Sequence, residues 1–255
     1  MKGIAIVGPG DAADVTGHPV AGHSAGDARA RMLGPAGFSL WMVALDLPAG
    51  QPVDLPEQHG DEVLYVRAGE VVVDGVVCPE GGAVVIESGA HPSVAAVNRA
   101  TVLHMGPRDP VVPVDGPNGP ITRTPDSVHV VGPGGRFALS GPGRAAKYFV
   151  DSTCDGCRAT LLHNSREGAH VAEPHSHSQD ELMYVLSGEI RFGAHRVGAG
   201  GTVAIAAHQR YSFRSQHGFT FLNFRRDASR HISADGDSRM EGALVNGMLP
   251  VIEAI

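Results

Sequence analysis

A shift of 119 residues lays one part of this chain on another without a gap. Asp61-Glu62 falls on Asp180-Glu181, Tyr65-Val66 on Tyr184-Val185 and Gly69-Glu70 on Gly188-Glu189. The same shift carries Gly81-Gly82 onto Gly200-Gly201, Val84 onto Val203 and Ile86 onto Ile205. A turn pair and a hydrophobic alternation kept in register mean one supersecondary unit built twice. The chain is therefore expected to form two like lobes. Glycine (34) and proline (18) are abundant, valine is common and helix-period runs are scarce, which points to short strands joined by tight turns. The expected class is all-β, sandwich or barrel. At 42% hydrophobic residues there is enough apolar material for a sizeable core.

The second copy carries the chemistry. Residues 168–188 read GAHVAEPHSHSQDELMYVLSG. In an extended strand side chains alternate faces, so His175 and His177 point the same way. Glu181 has the same parity and opens the next apolar run. A turn through 178–180 lets two imidazoles and one carboxylate converge, the donor set of a two-His-one-carboxylate metal site with positions left for water or substrate. In the first copy the slots of His175 and His177 hold Pro56 and Gln58, and only Glu62 remains. His59 and His91 each stand one residue from a ligand slot, and a one-residue slip sends a strand side chain to the opposite face. Only a β-bulge at each place would restore them. The first lobe is expected to be a structural or dimerisation partner without metal.

These residues resemble the cupin superfamily. Its first motif is matched by Gly168, His175, His177, Glu181 and Gly188. Its second motif is degenerate, with Ala206 in the proline slot, His208 in the glycine slot and Tyr211 in the slot of the fourth metal ligand. The resemblance implies a bicupin: two tandem cupin-type β-barrels (double-stranded β-helix, or jelly roll). The expected boundaries are 1–110 for the N-terminal lobe, 111–126 for a proline-rich linker, and 127–255 for the C-terminal lobe and tail. It also implies one divalent metal ion per chain on His175, His177 and Glu181. Fe(II) comes first, and Mn, Ni, Co and Zn also suit that donor set. Tyr211 is the expected catalytic residue, as ligand, hydrogen-bond partner of a bound substrate, or proton donor; it also has the plain role of lining the barrel mouth. A small apolar pocket is expected around Leu161, Met183, Val185 and Phe213, with His208 and His163 at its rim. The implied activities are an Fe(II) dioxygenase using O₂ on a small organic molecule, a metal-dependent isomerase, epimerase or lyase, and a non-catalytic ligand-binding cupin.

The remaining chain narrows the partners. A net charge of −7 with no Lys/Arg-rich run argues against nucleic acid or an anionic membrane. Lys2 is followed by only the short run IAIV, no signal peptide is read, and a cytoplasmic protein, with a homodimer among its states, is expected. The opening GIAIVGPGDAAD has the glycine spacing of a dinucleotide turn, but no helix follows to hold phosphate, so an edge strand and turn are expected. Cys154-Asp155-Gly156-Cys157 has the spacing of half a zinc site or a redox pair. With no second cysteine pair, the Asp-Gly reads as a two-residue hairpin tip whose flanking cysteines lie close enough to oxidise reversibly. Cys78 reads as a small core residue. In the tail, Leu244, Val245, Met248, Leu249, Val251 and Ile252 form a short apolar segment expected to cover a barrel edge.

Overall fold

The computed structural model describes residues 3–110, 124–151, 153–154, 156–227 and 229–234, and the backbone alone of 115–116, 119–120 and 236–239. The described residues are all-β, with two large antiparallel sheets and smaller ladders completing two tandem barrels. The tail segment at 244–252 and most of the expected linker lie outside the described residues.

Each lobe is built on one ladder used twice. In the first, Glu62–Ala68 pairs with Ala83–Ile86 on one side and with Ala100–Pro107 on the other, which in turn pairs with Leu40–Leu47. In the second, Glu181–Phe192, Thr202–Ile205, Gly218–Arg225 and Thr160–Glu167 take the same places. The 119-residue shift holds at the level of pairing. Glu62 stands opposite Ile86 as Glu181 does opposite Ile205, and His104 opposite Leu64 as Asn223 does opposite Met183.

Alternation then decides which side chain goes where. Val63, Tyr65, Leu103 and Met105 from the first lobe meet Leu182, Tyr184, Leu222 and Phe224 from the second in one shared core. Their neighbours Leu64, Val66 and Val102 fill the first barrel, and Met183, Val185 and Phe221 fill the second. Both faces of each central strand are thus buried, which is why these strands read as near-continuous apolar runs. Leu161 belongs to the shared core, so of the four expected pocket residues it faces away from the barrel interior.

The lobes also exchange strands. Ile4–Val7, at the start of the chain, pairs with Thr202–Ile205 of the second lobe. Val128–Val131, beyond the linker, pairs with Ala83–Ile86 of the first. The sheets therefore cross the boundaries expected at 110 and 127. The expected edge strand at the N-terminus is present, but on the far lobe. A pair of polar contacts repeats the exchange: the Arg158 N–H donates to Asp61 Oδ2 and the Ser39 hydroxyl to Asp180 Oδ2, each across the lobes. Asp61 and Asp180 also cap the Ser88 and Ala207 N–H groups with their other oxygens. That accounts for the Asp-Glu pair in both copies: the aspartate ties the lobes together and the glutamate faces the barrel.

Candidate metal centres

Glu62 and Glu181 are both fully buried, so the question in each lobe is what neutralises the carboxylate. The two lobes answer differently.

In the first lobe residues 17–28 cross the barrel end and carry two histidines into it. Gly22, at φ +82°, makes the turn, and a Cβ there would meet the Pro56 ring at 3.0 Å. Paired backbone bonds between Ser24 and Asp54 pin the segment. His23 Nε2 lies 3.0 and 3.1 Å from the two oxygens of Glu62, and His104 Nε2 lies 2.8 Å from Oε2. His23, Glu62 and His104 each offer a ligand atom within 4.8 Å of the others, with side-chain exposures of 5%, 1% and 0%. Trp41, its indole N–H bonded to the Pro107 carbonyl, packs edge-on against His18, His23 and His104. Burial opposes charge on Glu62, but hydrogen bonds from His104 and His23 outweigh it and hold the carboxyl down at about 2. Burial, then the neighbouring His104 and His23, push His18 down to about 2, and burial lowers His104.

The hydrogen-bond network assigns the tautomers. The Val20 N–H donates to His18 Nδ1 at 3.2 Å, so His18 carries its proton on Nε2, which faces His104 Nδ1 at 3.0 Å. His104 in turn donates from Nε2 to Glu62. The donor set fits a divalent ion: nitrogen and oxygen atoms about 3 Å apart span the edge of a coordination polyhedron with bonds of ~2.1 Å at right angles. Ligation at both Nε2 atoms requires their protons to leave or move. His23 Nδ1 is buried with no partner and can take one. His104 Nδ1 can take the other only if His18 changes tautomer, at the expense of the Val20 bond. His18 is thus the outer contact that orients a ligating imidazole.

In the second lobe the two expected histidines and Tyr211 stand side by side, but Glu181 is engaged elsewhere. The His175 and His177 rings stand 5.2 Å apart, and Tyr211 lies 4.4 Å from His175. Tyr211 and His175 are also bridged through their backbones, which fixes Tyr211 at the barrel end. His231, which the sequence reading did not single out, stacks on His175 at 4.8 Å. The cation facing Glu181, however, is Arg225. Its guanidinium donates to Glu181 Oε2 at 3.2 Å and to His177 Nε2 at 3.3 Å, while the Asn223 amide donates to the same oxygen at 2.8 Å. Register explains this, since Arg225 is the direct cross-strand partner of Glu181 and points into the barrel. The set His175, His177 and Glu181 is not among the described clusters whose ligand atoms lie within 4.8 Å of one another. Burial, then Arg225, lower His177, and burial with the Glu181 carboxylate raises the Tyr211 hydroxyl well above its ordinary value. Tyr211 is therefore a neutral phenol at physiological pH. A pocket of 520 Å³ opens beside it, lined in part by Ile4, Phe192, Gln209 and Arg210.

His59, His91, His163 and His208 are not part of the Glu62 cluster, and His91 is exposed and packs edge-on against His59. His59 sits outside the strands and places both ring nitrogens against the Gly60 and Ala90 carbonyls. His208 adopts φ +60° in the slot where the cupin motif has glycine, and its N–H donates to the His177 carbonyl. His163 is half-buried on Thr160–Glu167, opposite Lys147, and is not among these clusters. Cys78 is buried in the first barrel. Cys154 and Cys157 form a disulfide, but in a nine-residue connection (151–159) rather than at the tip of a two-residue turn.

No family model and no curated protein matches the sequence. The fold is similar to that of a Pseudomonas aeruginosa protein described as glyoxylate-induced, with a TM-score of 0.66, 18% identity and 88% of each chain covered. It is also similar to oxalate decarboxylase of Bacillus subtilis. A point mutant of that enzyme gives a TM-score of 0.61 at 16% identity, over 90% of this chain and 79% of that one. A second structure, from work on that enzyme's Mn(II) centres, gives 0.59 at 16% identity, over 92% and 79%. The chain has the bicupin fold, with a His/Glu cluster that could hold a metal among its described residues.

Proposed function

We propose that this protein is a metal-dependent enzyme acting on a small organic molecule, with its ion held by His23, Glu62 and His104. The observation that carries the reading is this buried cluster of two imidazole nitrogens and a carboxylate in a barrel interior. Two histidines and one carboxylate with open positions are the arrangement of non-haem Fe(II) oxygenases, so dioxygenation is the first reading. When bound, the ion supplies Lewis acidity and open positions for substrate and O₂. The chain supplies the rest. Trp41 and the 17–28 segment enclose the site and exclude water, His18 orients His104, and the enclosure favours a small substrate. A metal-dependent lyase is the second reading, supported by the likeness to oxalate decarboxylase. The set His175, His177 and Glu181 stands as the alternative location of the ion, reached only when Arg225 turns away.

Metal analysis of protein purified without chelator, run on the parent, His104→Ala and His177→Ala, tests the location. Loss of the ion in His104→Ala alone supports the N-terminal triad, and loss in His177→Ala alone moves it to the second lobe. Iron with substrate-dependent O₂ uptake supports the oxygenase. Anaerobic turnover supports the lyase. Tight binding of a small molecule without turnover would leave a ligand-binding cupin.

A further inference from the structure

A second cluster lies where the lobes meet. Glu87 follows the strand Ala83–Ile86 of the first lobe, and His129 sits on the exchanged strand Val128–Val131 paired with it. Cys154 and Cys157 lie in the connection between Arg144–Val150 and Thr160–Glu167 of the second lobe. Glu87, His129 and Cys154 each offer a ligand atom within 4.8 Å of the others. His129 Nε2 is 2.9 Å from Glu87 Oε1, and Cys154 Sγ is 3.8 Å from that same oxygen. Glu87 Oε2 is engaged separately, accepting the Ser127 N–H at 3.0 Å, which leaves Oε1 aimed at the sulfur and the imidazole. Cys157 Sγ is bonded to Cys154 Sγ, and both residues are buried.

We infer that Cys154, Cys157, Glu87 and His129 form, once the disulfide is reduced, a four-ligand site for a zinc-class divalent ion that clamps the two lobes together. The C-x-x-C spacing and the S₂NO donor set suit a closed tetrahedral site. Bonds from the first lobe, from its exchanged strand and from the second lobe would then meet at one atom. The chemistry balances with a phosphine or dithiol reductant. The phosphine attacks one sulfur and breaks the S–S bond, and water then supplies the oxygen of the phosphine oxide and the two thiol protons; a dithiol instead gives up two electrons and two protons and becomes a disulfide. The ion then displaces both thiol protons as the thiolates bind, and His129 ligates through Nε2 with any proton there moving to Nδ1 or to solvent. An ordinary buried Glu–His pair beside a structural disulfide is the competing description.

The full-length protein, reduced anaerobically with a phosphine and freed of it, is titrated with Co²⁺ and then with Zn²⁺. Thiol titration must first show two more thiols per chain than in the oxidised protein. The expected result is one equivalent of Co²⁺ giving a near-ultraviolet thiolate-to-cobalt band with tetrahedral visible bands, both abolished by Zn²⁺. The triad around Glu62 contains no sulfur, so the band reports this site alone, and it should persist in His104→Ala. Cys154→Ser with Cys157→Ser should abolish it, and His129→Ala and Glu87→Gln should each weaken Co²⁺ binding at least tenfold. Absence of the band in the reduced parent overturns the inference without a variant having to fold. Undiminished binding in both His129→Ala and Glu87→Gln also overturns it, because the cysteines would then bind without the first lobe.

Discussion

The two lobes place the same backbone around the same glutamate and neutralise it by opposite means. Opposite the Glu62 strand, the first lobe presents His104, and two residues on, Gly106; the second presents Asn223 and Arg225 at the equivalent places. A Cβ at Gly106 would come within 2.8 Å of the Trp41 ring and 3.0 Å of Glu62 Cγ, so no longer side chain fits there while Trp41 stays. In the second lobe the Trp41 position is Thr160, and the vacated volume admits a guanidinium. One ladder thus gathers a His/Glu cluster that could hold an ion in one copy and an internally neutralised carboxylate in the other. The fold supplies inward-facing positions; a glycine–arginine difference decides whether an arginine can be built in beside the glutamate.

The largest effect expected from this difference is on metal content. His104→Ala or Glu62→Gln should lower bound metal to less than a tenth of the parent value, whereas His177→Ala should leave it nearly unchanged, as read by elemental analysis. Equal losses in both lobes would erase the distinction. Next comes Arg225→Ala, which leaves Glu181 buried without its cation and should cost about 3–5 kcal/mol of stability in denaturant melts. Added Co²⁺ or Mn²⁺ should recover part of that loss as the second lobe takes up an ion of its own. A variant as stable as the parent that binds no further ion would mean Arg225 does not neutralise the site. His18→Ala should weaken metal binding about 10–100-fold without removing a ligand, by freeing the His104 ring; a chelator competition series measures it.

The smallest effect concerns acid stability. Burial, with Lys147 adding to it, lowers His163 to about 4 from 6.5, and the equivalent residue in the first lobe is Ala44. A histidine depressed in the folded state takes up protons more readily when unfolded. The protein is therefore fully stabilised at this position above pH 6.5 and loses stability as pH falls from 6.5 towards 4. His163→Ala should flatten that part of the stability–pH curve by about 1–2 kcal/mol, part-exposure of the ring reducing the full linkage value.

Much of this architecture was legible because the repeat carries register. Glu62 and Glu181, the Asp-Glu pairs and the alternation along both central strands follow from a gap-free match over 61–86. The first-lobe triad was not legible, for two separate reasons. His23 arrives on a segment with neither strand periodicity nor a motif, and only the folded chain brings it beside Glu62. His104 was within reach: carrying the same shift past Ile86 sets it on Asn223, a polar pair at an inward position of otherwise apolar strands. The slots of the motif histidines alone, filled by Pro56 and Gln58, make the first lobe look empty. In the second lobe the motif brought its histidines together as expected, yet nothing in the motif reports what the opposite strand contributes, and Arg225 comes from there. The strand exchange was hidden for a simpler reason. Short apolar edge strands such as IAIV and VHVV look alike, and pairing between residues so far apart leaves no local trace.

That exchange has a consequence for how the chain is made. Residues 4–7 emerge from the ribosome about 200 residues ahead of the strand they pair with. At ~5–20 residues per second they wait on the order of 10–40 s without their partner. The first lobe waits too, more briefly, for residues 128–131 to cover its own open edge at Ala83–Ile86. Neither lobe is a finished unit when its last barrel strand appears, and residues 4–7 are fixed only when the second barrel is nearly done. Synthesis of either half alone should therefore yield a chain with an uncovered sheet edge, prone to pair with another copy of itself.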